Sequence, residues 1–228
     1  MHVKAVLFDL GGTLIRTAAI PEIYMRILDC FGVKVSSNEI LEAHKANEKE
    51  FDIAQGQLDL GQDFWIAWNL RVLESIGIRE NREFLAKKID ELWWEHADLQ
   101  TYPDVKSTLV QLKANGVKLG IVTNGFKRDF KQILDRLKLT SFFDVTVGID
   151  SCNKAKPDKE IFLYALDQLG VRSNEALFIG DSVKYDYEGA KRAGLKPFVI
   201  DREGKAPSQC DKMRSLTEVL SFVKIVDE

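Results

Sequence analysis

Beyond Tyr102-Pro103-Asp104 the sequence alternates between short apolar runs rich in β-formers and longer stretches of helical period. That alternation restricts the fold more than any other feature. Parallel strands need long crossover connections, and these pack as helices on both faces of the sheet. The expected strands are Val117 to Val122, Phe143 to Val147, Ala176 to Ile179 and Pro197 to Ile200. The expected helices are Val105 to Asn115, Phe130 to Leu137 and Lys159 to Leu169, with a short helix before Gly194. Val3 to Phe8 reads as one more buried strand. The fold class is therefore α/β, a doubly wound parallel sheet of Rossmann-like type. In such sheets ligands bind beyond the carboxyl ends of the strands. Here three strands run directly into Asp9, Thr123 and Asp181, so one sheet edge should collect two carboxylates and a hydroxyl.

Between the first strand and the rest lies a different texture. From about Ile15 to Asp98 apolar residues recur at helical spacing: Ile23, Ile27, Leu28 and Phe31, then Phe64, Trp65, Trp68, Val72 and Leu73, then Phe84, Leu85, Ile89, Leu92 and Trp93. Gly77 reads as a helix stop. Gln55-Gly56-Gln57 and Leu60-Gly61-Gln62 read as loops between helices, and the four tryptophans as packing rather than ligand contacts. The expected organisation is an α/β core from 1–14 and 99–228, with a helical bundle at 15–98. Inserted after the first strand, the bundle should rise from the same sheet edge as a cap.

Several functional classes lose support. Lys+Arg number 32 and Asp+Glu 35, a formal charge of −3, which argues against a general nucleic-acid binder. There is no G-x-x-x-x-G-K-[ST] loop and no G-x-G-x-x-G turn. His2, His44 and His96 are scattered and form no zinc signature. Cys30, Cys152 and Cys210 are odd in number with no Cys-x-x-Cys pair, so the expected setting is a reducing cytoplasm. The start lacks a signal peptide's apolar stretch, and no apolar run is long enough to span a bilayer.

Four segments remain: Phe8-Asp9-Leu10-Gly11-Gly12-Thr13-Leu14, Val122-Thr123-Asn124-Gly125, Lys156-Pro157-Asp158, and Gly180-Asp181-Ser182-Val183-Lys184-Tyr185-Asp186. In this order they resemble the four motifs of the haloacid dehalogenase superfamily, in the subgroup with a helical cap after the first motif. The resemblance covers almost the whole chain. It implies that Asp9 is a nucleophile and Lys156 a catalytic cation. It makes Thr123, Asn124 and Lys156 the groups that hold a phosphoryl group. Mg²⁺ would take Asp9, the Gly11 carbonyl, Asp181 and Asp186 as ligands.

The chemistry is coherent. A carboxylate can attack phosphorus and form an aspartyl phosphate. Unscreened, it would repel a phosphate dianion, and hard oxygen ligands that hold Mg²⁺ remove that repulsion. Simpler roles exist for single residues: Asp9 and Thr123 suit turns, Asp186 suits a helix cap, and Gly12 suits special backbone geometry. Arg16 suits either a substrate anion or a hinge.

One position departs from the family pattern. Most phosphatases of the superfamily carry a second Asp two residues after the nucleophile, which protonates the leaving alcohol. Here that position is Gly11. A positioned acid is worth about 10²–10⁴ in rate. Haloacid dehalogenases also lack it, as do phosphonoacetaldehyde hydrolases, which use a cap lysine; Lys34, Lys45 and Lys49 are the candidates here. The dehalogenases, however, usually show Ser-Ser-Asn where this chain has Gly180-Asp181-Ser182, and Tyr close after the nucleophile where it has Gly11. The expected activity is a Mg²⁺-dependent phosphatase of a small phosphorylated metabolite, with no nucleic-acid or membrane partner. The alternatives are a 2-haloacid dehalogenase and a non-catalytic relative that binds phosphate or a partner. Restoring the acid as Gly11→Asp is expected to risk disturbing the backbone there.

Overall fold

The computed structural model describes residues 3–223, so His2 lies outside the described residues. Strand β1 (Ala5–Phe8) is buried along its whole length and leads through a turn into the two-residue strand β2 (Ile15–Arg16). Five helices follow: α1 (Ile20–Asp29), α2 (Ser37–Glu50), α3 (Ile53–Leu60), α4 (Phe64–Ser75) and α5 (Arg82–His96). Strand β3 (Gln100–Thr101) then pairs antiparallel with β2. The remainder is α6 (Val105–Ala114), β4 (Lys118–Val122), α7 (Lys127–Leu137), β5 (Val145–Val147), α8 (Ile149–Cys152) and α9 (Lys159–Leu169). It continues with β6 (Ala176–Gly180), a π-wound turn (Val183–Tyr187), α10 (Glu188–Arg192), β7 (Lys196–Ile200), β8 (Lys212–Met213) and a 3₁₀ segment (Leu216–Phe222).

The chain divides into two compact units, Thr17–Leu99 and the residues on either side of it. Ile15 and Arg16, as part of the β2–β3 ribbon, belong with the flanking unit. That unit holds a parallel sheet in the order β5-β4-β1-β6-β7-β8. The register decides where the chemistry goes. Phe8 lies opposite Ile121 on one side and Ile179 on the other. Asp9 follows Phe8 by one residue, and Thr123 and Asp181 follow their partners by two, so all three leave the sheet at the same level. The central strands are buried on both faces, as parallel sheets require. Helix α9 places Ile161, Phe162 and Leu166 against this sheet, with the Phe162 and Phe178 rings edge-to-face at 4.9 Å. Gly170, at φ +63°, ends α9 in the left-handed conformation that only glycine adopts without cost.

The helical unit has its own core, built on Ile23, Tyr24, Ile27, Trp68, Val72 and Ile89. Trp68 is buried and Trp65, Trp93 and Trp94 are half-buried against that core. One expected loop is a helix instead. Gln55-Gly56-Gln57 lies within α3, started by Asp52, whose carboxylate accepts the Gln55 amide at 3.1 Å. Gly56 serves packing there, since a Cβ would collide with the Phe64 ring. Leu60-Gly61-Gln62 straddles the break after α3, where Gly61 has φ +56°.

Buried in this core, His44 accepts the Trp68 indole N–H at its Nδ1 (3.2 Å), so the neutral ring carries its proton on Nε2. Nε2 has no partner. Burial pushes the His44 imidazole down to about 4. A depressed histidine binds protons more readily unfolded, so its contribution to stability is complete above about 6.5 and is lost as pH falls towards 4. We expect on the order of 3 kcal/mol to go over that window. Urea unfolding followed by tryptophan fluorescence at pH 7 and pH 4.5 measures it. His44→Phe should reduce the difference between the two pH values by that amount, and an unchanged difference would disprove the assignment.

Among the described residues no helix is long and apolar enough to cross a membrane. Cys30, Cys152 and Cys210 are all free.

Candidate active site

The turn after β1 is tightly tied. The Asp9 amide donates to the Ile179 carbonyl (2.9 Å), the Leu14 amide to Leu10 (3.0 Å) and the Gly12 amide to Ile15 (2.9 Å). Gly12 adopts φ +73°, and a Cβ there would collide with the Asp181 carboxylate. It therefore serves close approach as well as backbone geometry. Gly11 is different: its backbone is not left-handed and a Cβ would meet nothing within 4 Å. The expected hazard to the backbone at Gly11 is thus smaller than the sequence suggests, since a Cβ there has open space and no positive φ opposes it.

Lys156, although 147 residues away in sequence, is buried against Asp9. Its Nζ donates to Asp9 Oδ1 and to Asp186 Oδ1, both at 2.6 Å. Asn124 fixes the backbone behind it. Its amide accepts the Lys156 N–H at 2.7 Å and donates to the Lys156 carbonyl at 3.0 Å. Both ends of the Asn124 side-chain amide are thus used in positioning Lys156, which leaves its backbone N–H as the group that can face a phosphoryl oxygen. Thr123 is buried and its hydroxyl oxygen accepts the Gly125 N–H (3.1 Å), a short turn that orients the amides following β4.

Asp186 does not cap α10, whose N-cap position is Tyr187. It sits in the π-wound turn, where its second oxygen accepts the Ser182 N–H at 2.9 Å. A Cβ on Gly180 would overlap the Asp186 carboxyl, so that glycine is the space the acid occupies. Asp181 is the exposed member of the group, and Asp9, Asp181 and Asp186 present oxygens within 4.8 Å of one another.

Three carboxylates around one ammonium leave two formal negative charges. The electrostatics record the strain. Burial pushes the Asp9 carboxyl up to about 7; Lys156 opposes the shift, and Asp186 and Asp181 add to it. The Asp181 carboxyl is also raised, by desolvation first and the Asp186 charge second. Burial works against the Lys156 charge, but the two carboxylates outweigh it and hold the ammonium above the ordinary lysine value. Closely packed hard oxygens that repel one another are what a small divalent cation relieves, so the residues fit Mg²⁺.

Most other expected candidates engage neighbours of their own unit. Arg16 donates to the Gln100 side chain across the β2–β3 ribbon (2.9 Å). Lys34 pairs with Asp29, Lys45 pairs with Glu42, and Lys49 is exposed, all within the helical unit. Arg26 donates to the backbone carbonyl of His96. Asp201, at the end of β7, accepts the Lys205 amide of its own loop (2.7 Å). A cavity of about 430 Å³ opens beside the acids, lined in part by Gly12, Tyr102, Asp181, Val183, Arg202 and Lys205. Arg202 and Tyr102 were not expected in this neighbourhood, because no local sequence pattern connects them to it.

The model of the haloacid dehalogenase-like hydrolases matches residues 3–194. Glyceraldehyde 3-phosphate phosphatase of Methanopyrus kandleri is 31% identical over 89% of this chain and 85% of its own. (S)-2-haloacid dehalogenase 4A of Burkholderia cepacia is 28% identical over 90% of this chain and 85% of its own. The crystal structure of a HAD phosphatase from Thermococcus onnurineus superposes with a TM-score of 0.63 at 29% identity, covering 96% of this chain and 97% of that one.

Proposed function

The chain belongs to the haloacid dehalogenase-like hydrolases, and on that premise we propose that it is a Mg²⁺-dependent phosphatase of a small phosphorylated metabolite. The observation that carries the reading is the cluster of Asp9, Asp181 and Asp186 about the buried Lys156. The phosphatase named among its relatives supports it.

In the proposed reaction a carboxylate oxygen of Asp9 bonds to phosphorus as the bond to the leaving oxygen breaks. Water then attacks the aspartyl phosphate, releasing inorganic phosphate and restoring Asp9. Lys156 holds Asp9 through its Oδ1 and supplies positive charge where the phosphoryl oxygens gather. Asn124 keeps Lys156 in place, and Thr123 with the amides after it receives phosphoryl oxygens. Asp9, Asp181, Asp186 and the Gly11 carbonyl would hold Mg²⁺, which when bound neutralises charge on the phosphoryl group. The helical unit is proposed as the substrate-selecting cap, and the reducing cytoplasm as the setting, on the number and spacing of the cysteines.

Gly11 and the dehalogenase-named relative favour one second reading, hydrolysis of a 2-haloacid. A panel of phosphate esters and 2-haloacids, each with Mg²⁺ and with chelator, separates the two. We expect phosphate release that vanishes with chelator and falls at least about 10²-fold in Asp181→Asn. Aryl and acyl phosphates should be cleaved faster than alkyl ones, since their leaving groups need no proton. Gly11→Asp, whose Cβ meets open space, should raise the alkyl-to-aryl ratio about tenfold or more. Chelator-resistant dehalogenation without phosphate release would replace the first reading by the second.

A further inference from the structure

A second charged centre in the α/β unit has no place in the chemistry above. Arg202, just past the end of β7, donates from one terminal nitrogen to Asp104 Oδ2 (2.8 Å) and from the other to the Thr13 carbonyl (3.1 Å). Its guanidinium carbon lies 3.9 Å from the centre of the Tyr102 ring. The two charged side chains are only 19% and 14% exposed. Asp104 Oδ2 also accepts from the Ser215 hydroxyl (3.0 Å) and the Leu216 amide (2.8 Å).

Two features set this centre apart from an ion pair that only stabilises the fold. Its hydrogen bonding is incomplete, because the buried Thr13 Oγ1, Asp104 Oδ1 and Arg202 Nε have no partners. A partly unsatisfied buried ion pair is a poor source of stability. Its second feature is the target of the fork. The Thr13 carbonyl belongs to the turn that carries Asp9 and Gly11, and in that turn Gly12 lies directly against Asp181. A shift of the Thr13 peptide therefore changes how Gly12 meets Asp181. The planar arginine fork reaches these two acceptors from separate nitrogens while stacked on a ring; a lysine, a single point charge, would keep neither that spacing nor the stack.

We infer that Arg202 is a positioning residue that holds the Asp9–Thr13 turn in register with Asp181, and so sets the spacing of the carboxylates that take Mg²⁺. This rests on the metal reading given above. Tyr102 supports the guanidinium from below, and Asp104 orients it while anchoring the Ser215–Leu216 segment.

Calorimetric titration with MgCl₂, thermal melting and steady-state kinetics on full-length variants test the inference. Arg202→Lys should bind Mg²⁺ about 10–100-fold more weakly, with the loss in kcat exceeding any change in KM. Asp104→Asn keeps an acceptor for Arg202 and leaves the Thr13 bond in place. It should melt at a lower temperature yet bind Mg²⁺ within about threefold of wild type. If Arg202→Lys does not fold, Tyr102→Leu replaces it, and should weaken Mg²⁺ binding about threefold or more by loosening the guanidinium. Wild-type Mg²⁺ affinity in Arg202→Lys, or in Tyr102→Leu where that serves instead, overturns the inference alone. So does a loss of affinity that simply follows melting temperature across Arg202→Lys and Asp104→Asn. A wild-type protein that takes up no Mg²⁺ overturns the metal reading and this inference with it.

Discussion

Asp9→Asn is expected to lower kcat by at least about 10⁴-fold while the protein stays folded and melts no lower than wild type. The asparagine carbonyl can still accept from Lys156, so the nearly isosteric change removes the nucleophile with little disturbance. It also removes a charge that the site holds at a cost, since burial raises the Asp9 carboxyl to about 7. Rapid quench of the wild type should trap phosphate on Asp9. Turnover near the wild-type rate in Asp9→Asn, with a clean melting transition, would disprove nucleophilic attack by this residue.

Lys156→Met should damage both stability and activity. Methionine keeps most of the length of the side chain but leaves Asp9 and Asp186 facing each other without a cation. Removing one partner of a buried ion pair costs about 3–5 kcal/mol. The cost should depend on pH in a fixed direction. Without Lys156 the Asp9 carboxyl rises further, and a carboxyl raised in the folded state binds protons more readily there than in the unfolded chain. The fold then loses stability as pH increases, so the deficit is largest near pH 8 and shrinks towards pH 5. Urea denaturation of wild type and variant at both values measures it. A deficit that grows on acidification would show that Lys156 does not carry this charge balance. Turnover should fall about 10²–10⁴-fold.

What the sequence reveals of this molecule depends on how local each feature is. Apolar runs that stop at Asp9, Thr123 and Asp181 declare buried strands and the edge where they end, because both the burial and the break are written in adjacent residues. Helix α9 is equally plain, with Gly170 closing it. Helix α3 is not. Gln55, Gly56 and Gln57 have the composition of a loop, and only the nearby ring of Phe64 explains the glycine. The ribbon β2–β3 and the strand β8 are two residues long, too short for any period. Asn124 sits in the motif with Thr123, but the partner of its side chain is a peptide bond 32 residues on, which no motif displays. Arg202 and Asp104, 98 residues apart, meet only in three dimensions.

Gly12 and Gly180 leave the molecule open to a quiet form of inactivation. Each stands where a carboxylate needs the volume of a methyl group, Asp181 in one case and Asp186 in the other. A relative that drifted to alanine at Gly180 would keep Asp9, Lys156, Asp181 and Asp186 in its sequence, and every charged residue that marks the site would still be present. Its acid would nevertheless be displaced by one carbon atom. Activity in such chains is therefore better judged from the residues with no side chain than from an inventory of the charges.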